Sequence, residues 1–275
     1  MSVAARMNRL FGADGKCFQL ASDHALFNGY ALLSGVEDIE QVIDLAIRAE
    51  VDAILLSPGQ ARHLQVERGG RKPALMMRGD VANVYDLSKP SVGFSELLDE
   101  GLEQALRLDA AALLLNMFYI PDQPEVYHQC IRNIRLMKAQ CERYGMPLVA
   151  EPLVLEPDPS TGGYQVVSDF ETVVALHRQA VELGVDIIKA DPTDRVDQYE
   201  ELVRVTKGTP LLPRGGGKVA DREILSRTHR MLEAGAAGVV YGRNIFQHPN
   251  VLGMARAIRA LIHEGADVDT AMSNL

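Results

Sequence analysis

The sequence predicts an α/β fold, a (β/α)8 barrel formed by one domain that spans residues 1–275. Eight short apolar runs alternate with segments of helical period, which is the order of a barrel built from parallel strands. The length of 275 residues suits such a barrel, and no linker or low-complexity segment divides the chain. An open doubly wound sheet is the alternative fold, which the eight strand candidates and the lack of a GxGxxG motif weaken.

The candidate strands are apolar on both faces, which is typical of parallel strands that are covered on both sides. They are residues 17–22, 52–57, 74–79, 111–117, 147–152, 185–190, 210–215 and 237–242.

The intervening segments carry the start and stop signals of helices. Ser168 is a candidate N-cap with Glu171 three residues on, the pattern of a capping box, and Gly184 is placed to end that helix. Residues 124–144 and 221–233 are two further helices, each followed closely by a glycine.

Composition limits the partners that this chain can have. A formal charge of −9 argues against nucleic acid or an anionic membrane as a partner, whereas a small anionic substrate needs only a local positive pocket. Cys17, Cys130 and Cys141 are odd in number and lack metal-like spacing, so we expect no disulfide framework, no metal site and a reducing cytoplasm. No apolar run is long enough for a signal peptide or a membrane span, so we expect a soluble protein.

Three charged residues at the ends of candidate strands predict a reactive site. Lys189, Glu151 and Asp23 each share a strand face with the apolar residue two positions earlier. If those faces point into the barrel, an amine and two carboxylates converge near its mouth, where barrel enzymes build their active sites.

Lys189 is the candidate nucleophile. An amine buried among apolar neighbours loses part of its preference for the charged form and can then attack a carbonyl carbon. The resulting imine permits cleavage or formation of a neighbouring C–C bond. The alternative is a lysine whose amine only extends to solvent from the strand end, or one that forms a structural ion pair with Glu151.

Glu151 and Asp23 are the candidates for proton transfer, because imine chemistry needs groups that shuttle protons. The alternative is a structural ion pair with Lys189 or Arg78. His24, which follows Asp23, is a candidate contact to a substrate hydroxyl, and a structural histidine is the alternative.

The segment RGGGK, residues 214–218, predicts a phosphate site. It follows the seventh strand and precedes a helix, and Gly242-Arg243 follows the eighth strand. Glycines alone also make plain turns. Two glycine clusters at consecutive strand ends, each with a cation, favour phosphate, because barrels bind phosphate in these loops.

Several segments resemble class I aldolases of the DeoC/LacD-like, archaeal fructose-bisphosphate aldolase type. They are ASDHALFNGY, SGVED, IIKAD, GGGK and GVVYGRNIFQHPN, so the likeness runs from the first strand to the eighth. The group also includes tagatose-bisphosphate aldolases and enzymes that process autoinducer-2 phosphate. The resemblance implies a barrel enzyme without a cofactor, and by analogy a homo-oligomer.

The resemblance also implies roles for individual residues. Lys189 becomes the Schiff-base lysine and Asp23 the carboxylate beside the imine. The phosphate ligands that it implies are Gly216, Gly217, Gly242 and Arg243, with Lys218 a weaker candidate.

Two departures from the family pattern concern the substrate. Archaeal-type fructose-bisphosphate aldolases carry a tyrosine on the fifth strand as proton donor, with a tryptophan nearby. This chain has no tryptophan and places Glu151 there, which is more similar to the tagatose-bisphosphate type, where a glutamate is the acid/base. Arg214 stands where relatives often have a small residue, and could contact phosphate or another anion such as sulfonate.

The expected function is therefore a metal-independent aldolase that acts on a phosphorylated ketose or related keto compound. It would release a product such as dihydroxyacetone phosphate together with an aldehyde. A transaldolase or a thiolase that uses the same imine is the nearest alternative. A non-catalytic barrel that binds phosphosugars, and an isomerase that uses Glu151 as base without an imine, are the others.

Overall fold

Eight strands surround a barrel axis in the computed structural model of the chain, which describes residues 2–27, 30–66, 71–87 and 91–275. Asn28 and Gly29 of the opening motif lie outside the described residues. In chain order the strands are β1 Cys17–Ala21, β2 Ala53–Leu56, β3 Ala74–Arg78, β4 Asp80–Asn83, β5 Phe94–Leu97, β6 Ala112–Tyr119, β7 Leu148–Asp158, β8 Gly163–Val167, β9 Ile187–Ala190, β10 Leu211–Pro213 and β11 Gly238–Tyr241.

The barrel strands pair in parallel in the order β10, β9, β7, β6, β3, β2, β1 and β11. The ring closes between its two ends, because Arg214 bridges Val240 and the N–H of Ala237 donates to the carbonyl of Leu211 at 2.8 Å. The prediction of a (β/α)8 barrel is confirmed, and each of its eight strands contains residues of one predicted strand.

The helices are α1 Ala4–Leu10, α2 Ile39–Arg48, α3 Pro58–Val66, α4 Gly101–Arg107, α5 Pro124–Tyr144, α6 Phe170–Glu182, α7 Tyr199–Val205, α8 Asp221–Glu233, α9 Arg243–Phe246, α10 Val251–His263 and α11 Val268–Met272. Each barrel strand is followed by one helix of the outer layer, in order α2 to α8 and then α10. Among the described residues no helix is long and apolar enough to cross a membrane.

Helix ends follow the local signals with one correction. Gly145 and Gly184 stand just after α5 and α6 with φ of 60° and 81°, a left-handed conformation that glycine adopts at low cost. The N-cap of α6 is Asp169, whose carboxylate accepts the N–H of Thr172 at 3.0 Å. The prediction of Ser168 as this cap was wrong by one residue, because the helix begins at Phe170 and the residue before it is Asp169.

Apolar side chains fill the inside of the barrel. The cluster includes Ala21, Leu55, Val149 and Ile187, all buried. At the N-terminal end of the barrel, α1 places Leu10 in this same cluster. The barrel is thus a packed core below its C-terminal mouth, and chemistry is confined to that mouth.

Two β-hairpins that the sequence analysis did not predict stand above the mouth. One is formed by β4 and β5, and the other by the far half of β7 with β8. The hairpins meet where the N–H of Tyr164 donates to the carbonyl of Val84 at 2.8 Å. Gly163 is required at this contact, because a Cβ there would lie 2.4 Å from the carbonyl oxygen of Tyr85.

At the opposite end of the barrel, His263 joins three segments of the chain. Its Nδ1 lies 2.8 Å from a carboxylate oxygen of Asp14, and its Nε2 lies 2.8 Å from a carboxylate oxygen of Asp52. Asp52 also accepts the N–H of Phe18 at 2.7 Å. Hydrogen bonding to Asp52, and then to Asp14, raises the pKa of His263 against the opposing effect of burial.

We expect the stabilisation from His263 to depend on pH. Its folded pKa is raised, so its stabilisation is complete below the ordinary value of 6.5 and is lost as pH rises through the folded pKa. A His263→Gln variant should therefore lose about 1 kcal/mol of unfolding free energy at about pH 6 and much less at about pH 9. Urea unfolding of both proteins across this range measures the difference.

The matched control is His229→Gln, since His229 pairs at 3.5 Å with Glu233, whose side chain is exposed. Its effect should be small at every pH. A His263→Gln deficit that stays constant or grows as pH rises would contradict the assignment.

Candidate active site

The C-terminal ends of the barrel strands surround a cluster of buried charges. Its members are Asp23 after β1, Arg78 at the end of β3, Asp80 at the start of β4, Glu151 in β7 and Lys189 in β9. We call these five residues the buried ion network. Lys189 is the most exposed of them, at only 7%. The predicted convergence of an amine and two carboxylates at the mouth is thus what the structure contains.

Strand register places Lys189 beside Glu151. Val149 of β7 lies opposite Ile187 of β9, and both point into the barrel interior. Glu151 and Lys189 come two residues later on the same faces, and the lysine Nζ lies 2.8 Å from Oε1 of Glu151. A register shift of one residue would turn Lys189 to the other face of the sheet, so the pairing of these two strands is what sets the contact.

Arg78 connects the two carboxylates and has no exposed surface. Its Nε and Nη2 donate to Oδ2 of Asp23 at 2.7 and 2.6 Å, and Nη2 also donates to Oε2 of Glu151 at 2.8 Å. Nη1 donates to Oδ1 of Asn116 at 3.1 Å, and the guanidinium carbon lies 5.0 Å from the ring centroid of Phe27. These contacts hold both carboxylates in place with charge-assisted hydrogen bonds.

The two cations keep the carboxylates ionised. Burial by itself raises the pKa of Asp23, but the charges of Arg78 and Lys189 lower it to about 2. Burial also opposes ionisation of Glu151, and Lys189 and Arg78 together lower its pKa below the ordinary value. Near neutral pH both groups are therefore proton acceptors that carry no proton of their own.

Asp80 behaves differently because its hydrogen bonds are mainly to uncharged groups. One oxygen accepts the backbone N–H of Asn116 at 2.7 Å, and the other accepts its side-chain amide at 3.1 Å. Its contact with Arg78 is longer, at 3.4 Å. Burial raises the pKa of Asp80 to about 6 despite the charge of Arg78. Asp80 thus fixes the Asn116 amide, which in turn accepts from Arg78.

His24 stands at the edge of the mouth, beside the end of β11. Its Nδ1 is buried and has no hydrogen-bond partner among the described residues. Burial lowers its pKa to about 4, so the ring is neutral near pH 7. A Cβ at Gly242 would lie 2.8 Å from the ring, so a glycine there leaves room for this histidine. The neutral ring has a free nitrogen for a substrate hydroxyl.

The glycine loop after β10 is held open by two side chains. The amide of Asn244 donates to the carbonyls of Gly215 and Gly217 at 3.2 and 3.1 Å, and Arg227 donates to the carbonyl of Gly215 at 2.6 Å. Because these partners engage carbonyls, they leave the N–H groups of the loop available. Gly216 has a φ of +69°, which favours glycine.

Lys218, the weaker phosphate candidate, is exposed and is engaged elsewhere. Its Nζ donates to the backbone carbonyl of Gln247 at 2.5 Å. The structure brings Gly216, Gly217, Gly242 and Arg243 to the ends of β10 and β11, but it directs Lys218 to the carbonyl of Gln247.

Arg214 is held at the mouth by a fully buried aspartate. Both Nε and Nη2 of Arg214 donate to Oδ2 of Asp191, and the other oxygen of Asp191 accepts the N–H of Thr193 at 2.8 Å. The N–H of Asp191 donates to Nε2 of His177 at 3.2 Å. Burial lowers the pKa of Arg214, but the charge of Asp191 raises it overall. Arg214 is therefore a fixed cation.

Arg243 is a partly buried cation whose pKa responds to the charge of Arg214. Burial lowers its pKa, and the charge of Arg214 lowers it further. Among the described residues its guanidinium makes no ion pair. Two guanidinium groups beside a glycine loop, one of them without a counter-ion, form a site suited to an anion.

The sequence analysis assigned no catalytic or binding role to four residues that shape this site. They are Arg78, which it named only as a structural ion-pair partner, Asp80, Asn116 and Asp191. The alternation rule could have found two of them. Arg78 shares the strand face of Met76, which points into the barrel, and Asp191 continues the face of Lys189.

Comparison with known proteins agrees with this fold and site. The pattern of the DeoC/LacD family aldolases matches residues 17–248. The chain is 29% identical over 281 residues to an uncharacterized aldolase of Saccharolobus solfataricus, covering 98% of this chain and 97% of the relative. It is 30% identical over 271 residues to a 3-hydroxy-5-phosphonooxypentane-2,4-dione thiolase of Yersinia enterocolitica, covering 98% and 85% respectively.

The structural likeness is also close. An archaeal fructose-1,6-bisphosphate aldolase, solved with its catalytic lysine covalently bound to the carbinolamine intermediate, superposes with a TM-score of 0.78. The two chains are 25% identical, and the match covers 95% of this chain and 99% of the other. A barrel of this kind, with these relatives, defines an aldolase-type enzyme, a lyase. More particularly, the chain belongs to the DeoC/LacD aldolase family.

We expect Arg78→Met to destabilise the protein strongly. The substitution leaves the carboxylates of Asp23 and Glu151 buried with one fewer cation, and breaking a buried ion pair from one side costs about 3–5 kcal/mol. Urea unfolding at neutral pH measures the loss.

Arg204→Met is the matched control, because Arg204 pairs with Glu201 on the surface, where such pairs contribute about 0–1 kcal/mol. Equal effects of the two substitutions would contradict a central structural role for Arg78.

Proposed function

We propose that this chain is a class I, Schiff-base aldolase that acts on a phosphorylated ketose or a related keto compound. The observation that carries the proposal is the buried contact of 2.8 Å between Nζ of Lys189 and Glu151 at the mouth of the barrel. An amine held beside a carboxylate has a proton acceptor at hand, and it needs one to become a nucleophile. Family membership supports the same reading.

Imine formation begins with proton transfer from the lysine ammonium to Glu151. The neutral amine then attacks the ketone carbon, and the C=O electron pair moves to oxygen. After a proton shift from nitrogen to oxygen, Glu151 returns its proton to the carbinolamine hydroxyl, water leaves and a protonated imine remains. Because Lys189 supplies this electrophile itself, the proposed reaction uses no metal ion and no cofactor.

C–C cleavage then uses a carboxylate as base. Glu151, again ionised and aided by Asp23, takes the proton of the hydroxyl on the carbon beyond the bond that breaks. The hydroxyl oxygen forms a carbonyl, the C–C electron pair moves into the imine, and an aldehyde leaves. The enamine is protonated on carbon and hydrolysed, which releases a product such as dihydroxyacetone phosphate and regenerates Lys189.

Asp23 is suited to stabilise the cationic imine. It lies within the buried ion network and is ionised, with a pKa of about 2. A fixed negative charge near the nitrogen favours the protonated imine over the neutral one, which keeps it an effective electron acceptor.

The phosphate end of the substrate is proposed to bind at the ends of β10 and β11. Its oxygens would be contacted by the N–H groups of Gly216 and Gly217, by the Gly242 turn and by the Arg243 guanidinium. Arg214, already neutralised by Asp191, would add directed hydrogen bonds rather than net charge. Holding the phosphate there fixes the ketone against Lys189, which accelerates the reaction by positioning.

A thiolase reaction through the same imine is the second candidate. It is favoured by the 30% identity with a 3-hydroxy-5-phosphonooxypentane-2,4-dione thiolase, a protein whose name describes a phosphorylated diketone. The two reactions differ in the fate of the cleaved fragment. Release of free aldehyde without an acceptor assigns the aldolase, whereas strict dependence of cleavage on coenzyme A assigns the thiolase.

We expect sodium borohydride to trap the substrate covalently on Lys189. Incubation with dihydroxyacetone phosphate and a panel of ketose phosphates, followed by peptide mass spectrometry, should show the reduced adduct on that residue. Lys189→Met should lose the adduct and lower kcat by about 10⁴-fold or more, because the covalent route is removed.

Lys207→Met is the matched control, since Lys207 is exposed on the surface. An adduct on another lysine in the active wild-type enzyme, or full activity of Lys189→Met, would disprove the proposal.

We expect Arg243→Met to weaken binding of phosphorylated substrate specifically. Loss of a charge-assisted contact should lower kcat/KM by about 10- to 100-fold, mainly through KM. The same variant should have little effect on the dephosphorylated form of the substrate. Steady-state kinetics with both forms checks this, and Arg230→Met, on the exposed face of α8, is the control. Equal losses on both forms would place the phosphate elsewhere.

A further inference from the structure

One buried side chain, the amide of Asn244, is bound to the glycine loop at three points. Its Nδ2 donates to the carbonyls of Gly215 and Gly217 at 3.2 and 3.1 Å, and its Oδ1 accepts the N–H of Val219 at 3.1 Å. An amide side chain has two N–H donors and one acceptor oxygen, so the loop engages all of them. Asn244 is only 3% exposed and has no donor left for a substrate.

Other contacts hold the same loop in this shape. A Cβ at Gly215 would lie 3.1 Å from Nδ2 of Asn244, so the amide packs directly on the loop backbone. Arg227 donates to the carbonyl of Gly215 at 2.6 Å, and Nζ of Lys218 donates to the carbonyl of Gln247 at 2.5 Å. The loop is therefore ordered by the protein itself.

The carbonyls that Asn244 binds determine where two N–H groups of the loop point. In a trans peptide the C=O of one residue and the N–H of the next lie in one plane and point in opposite directions. The carbonyl of Gly215 shares its plane with the N–H of Gly216, and the carbonyl of Gly217 shares its plane with the N–H of Lys218. Because both carbonyls are turned toward Asn244, these two N–H groups are turned away from it.

The N–H groups that point away from Asn244 lie on the open side of the loop. Gly215 is buried, Gly216 is half-buried, and Gly217 and Lys218 are exposed. The N–H groups of Gly216 and Lys218 donate to no residue in the part of the chain that the structure describes. Two backbone donors without partners on one side of a loop suit an anion.

Arg214 places a guanidinium nitrogen beside this loop. Its Nε and Nη2 donate to Asp191, whereas Nη1 bonds to none of the residues that the structure describes. Nη1 lies 3.6 Å from the position that a Cβ on Gly216 would occupy. Backbone N–H groups and the free end of an arginine thus occur next to one another, a combination that favours a phosphate group.

We propose that Asn244 is a positioning residue for the phosphate end of the substrate. It turns the N–H groups of Gly216 and Lys218 outward, where they bind the phosphate together with Nη1 of Arg214. The inference rests on the proposed Schiff-base function and deepens it, because it gives the backbone of Lys218 the role that its side chain does not take. A loop that is ordered before binding loses little conformational entropy when the anion arrives.

The test compares dihydroxyacetone phosphate with dihydroxyacetone as probes of imine formation on Lys189. Borohydride trapping at a series of concentrations gives a half-saturation concentration for each probe. Asn244→Leu should raise the value for dihydroxyacetone phosphate by about 10-fold or more, because hydrogen bonds to an anion are lost when the N–H groups change direction. The value for dihydroxyacetone and the maximal amount of adduct should stay those of the wild type.

Asn133→Leu is the matched control. Asn133 is 1% exposed, and its amide is also bound at both ends, to Gln129 and to the carbonyl of Ser95, but it lies in α5. Both half-saturation concentrations should be those of the wild type. No change in Asn244→Leu would overturn the proposal, and so would an equal rise for both probes, which is the result of a purely structural role.

The wild-type enzyme separates this inference from the function on which it rests. Absence of any adduct with either probe would overturn the Schiff-base function and the inference with it. Adducts that form with the same half-saturation concentration for both probes would leave the Schiff base in place and overturn only the phosphate site.

A second variant, Arg227→Met, keeps the test independent of the folding of Asn244→Leu. It removes a different donor from the carbonyl of Gly215, whose peptide plane carries the N–H of Gly216. The half-saturation concentration of dihydroxyacetone phosphate should rise by about 2- to 10-fold, the effect of one hydrogen bond, and that of dihydroxyacetone should not change. An unchanged ratio of the two values would show that the loop does not depend on its bound carbonyls and would overturn the proposal.

Discussion

A fully buried guanidinium governs the arrangement of this barrel mouth. Removing an arginine from water costs several kcal/mol unless carboxylates and hydrogen-bond acceptors surround it. Here Asp23, Glu151 and Asn116 provide them, at distances of 2.6 to 3.1 Å. The requirement acts in both directions, because the same carboxylates would be costly to bury without Arg78. Four strands are thereby tied together at the level where the chemistry occurs.

The site has two parts, the buried ion network and the glycine loop with its two arginines. Two cations hold Asp23 and Glu151 as carboxylates, and in the proposed reaction these groups would accept protons and stabilise positive charge. The proposed anion-binding side is formed separately, by the glycine loop, Arg214 and Arg243, and Asp191 neutralises the charge of Arg214. A substrate that spans both sides would have its carbonyl at Lys189 and its anionic group at the arginines, which matches the polarity of a keto phosphate.

The sequence could predict the parts of the fold and site that depend on residues close together in the chain, and it could not predict those that depend on tertiary contacts. Barrel strands and long helices follow from local periodicity, and the convergence of Lys189 with Glu151 follows from strand alternation once the barrel is assumed. Arg78 obeys the same alternation, yet a charged residue at a strand end is usually solvated, so the sequence indicated only that Arg78 could pair with a carboxylate and not that it is fully buried. The cap at Asp169 was missed because Ser168 and Asp169 are both capping residues, and only tertiary contacts choose between them.

No local sequence signal predicts the two hairpins above the mouth. They are additions to the eight parallel strands of the barrel. The extension of β7 runs through Pro152 and Pro157 and ends at Asp158, residues that read as loop. Its partner contact, from Tyr164 to Val84, joins segments 80 residues apart in the chain. Relatives at about 30% identity can share the barrel while differing in such loops. Family membership therefore indicates the class of reaction, whereas we expect the hairpins and Arg214 to determine the choice of substrate.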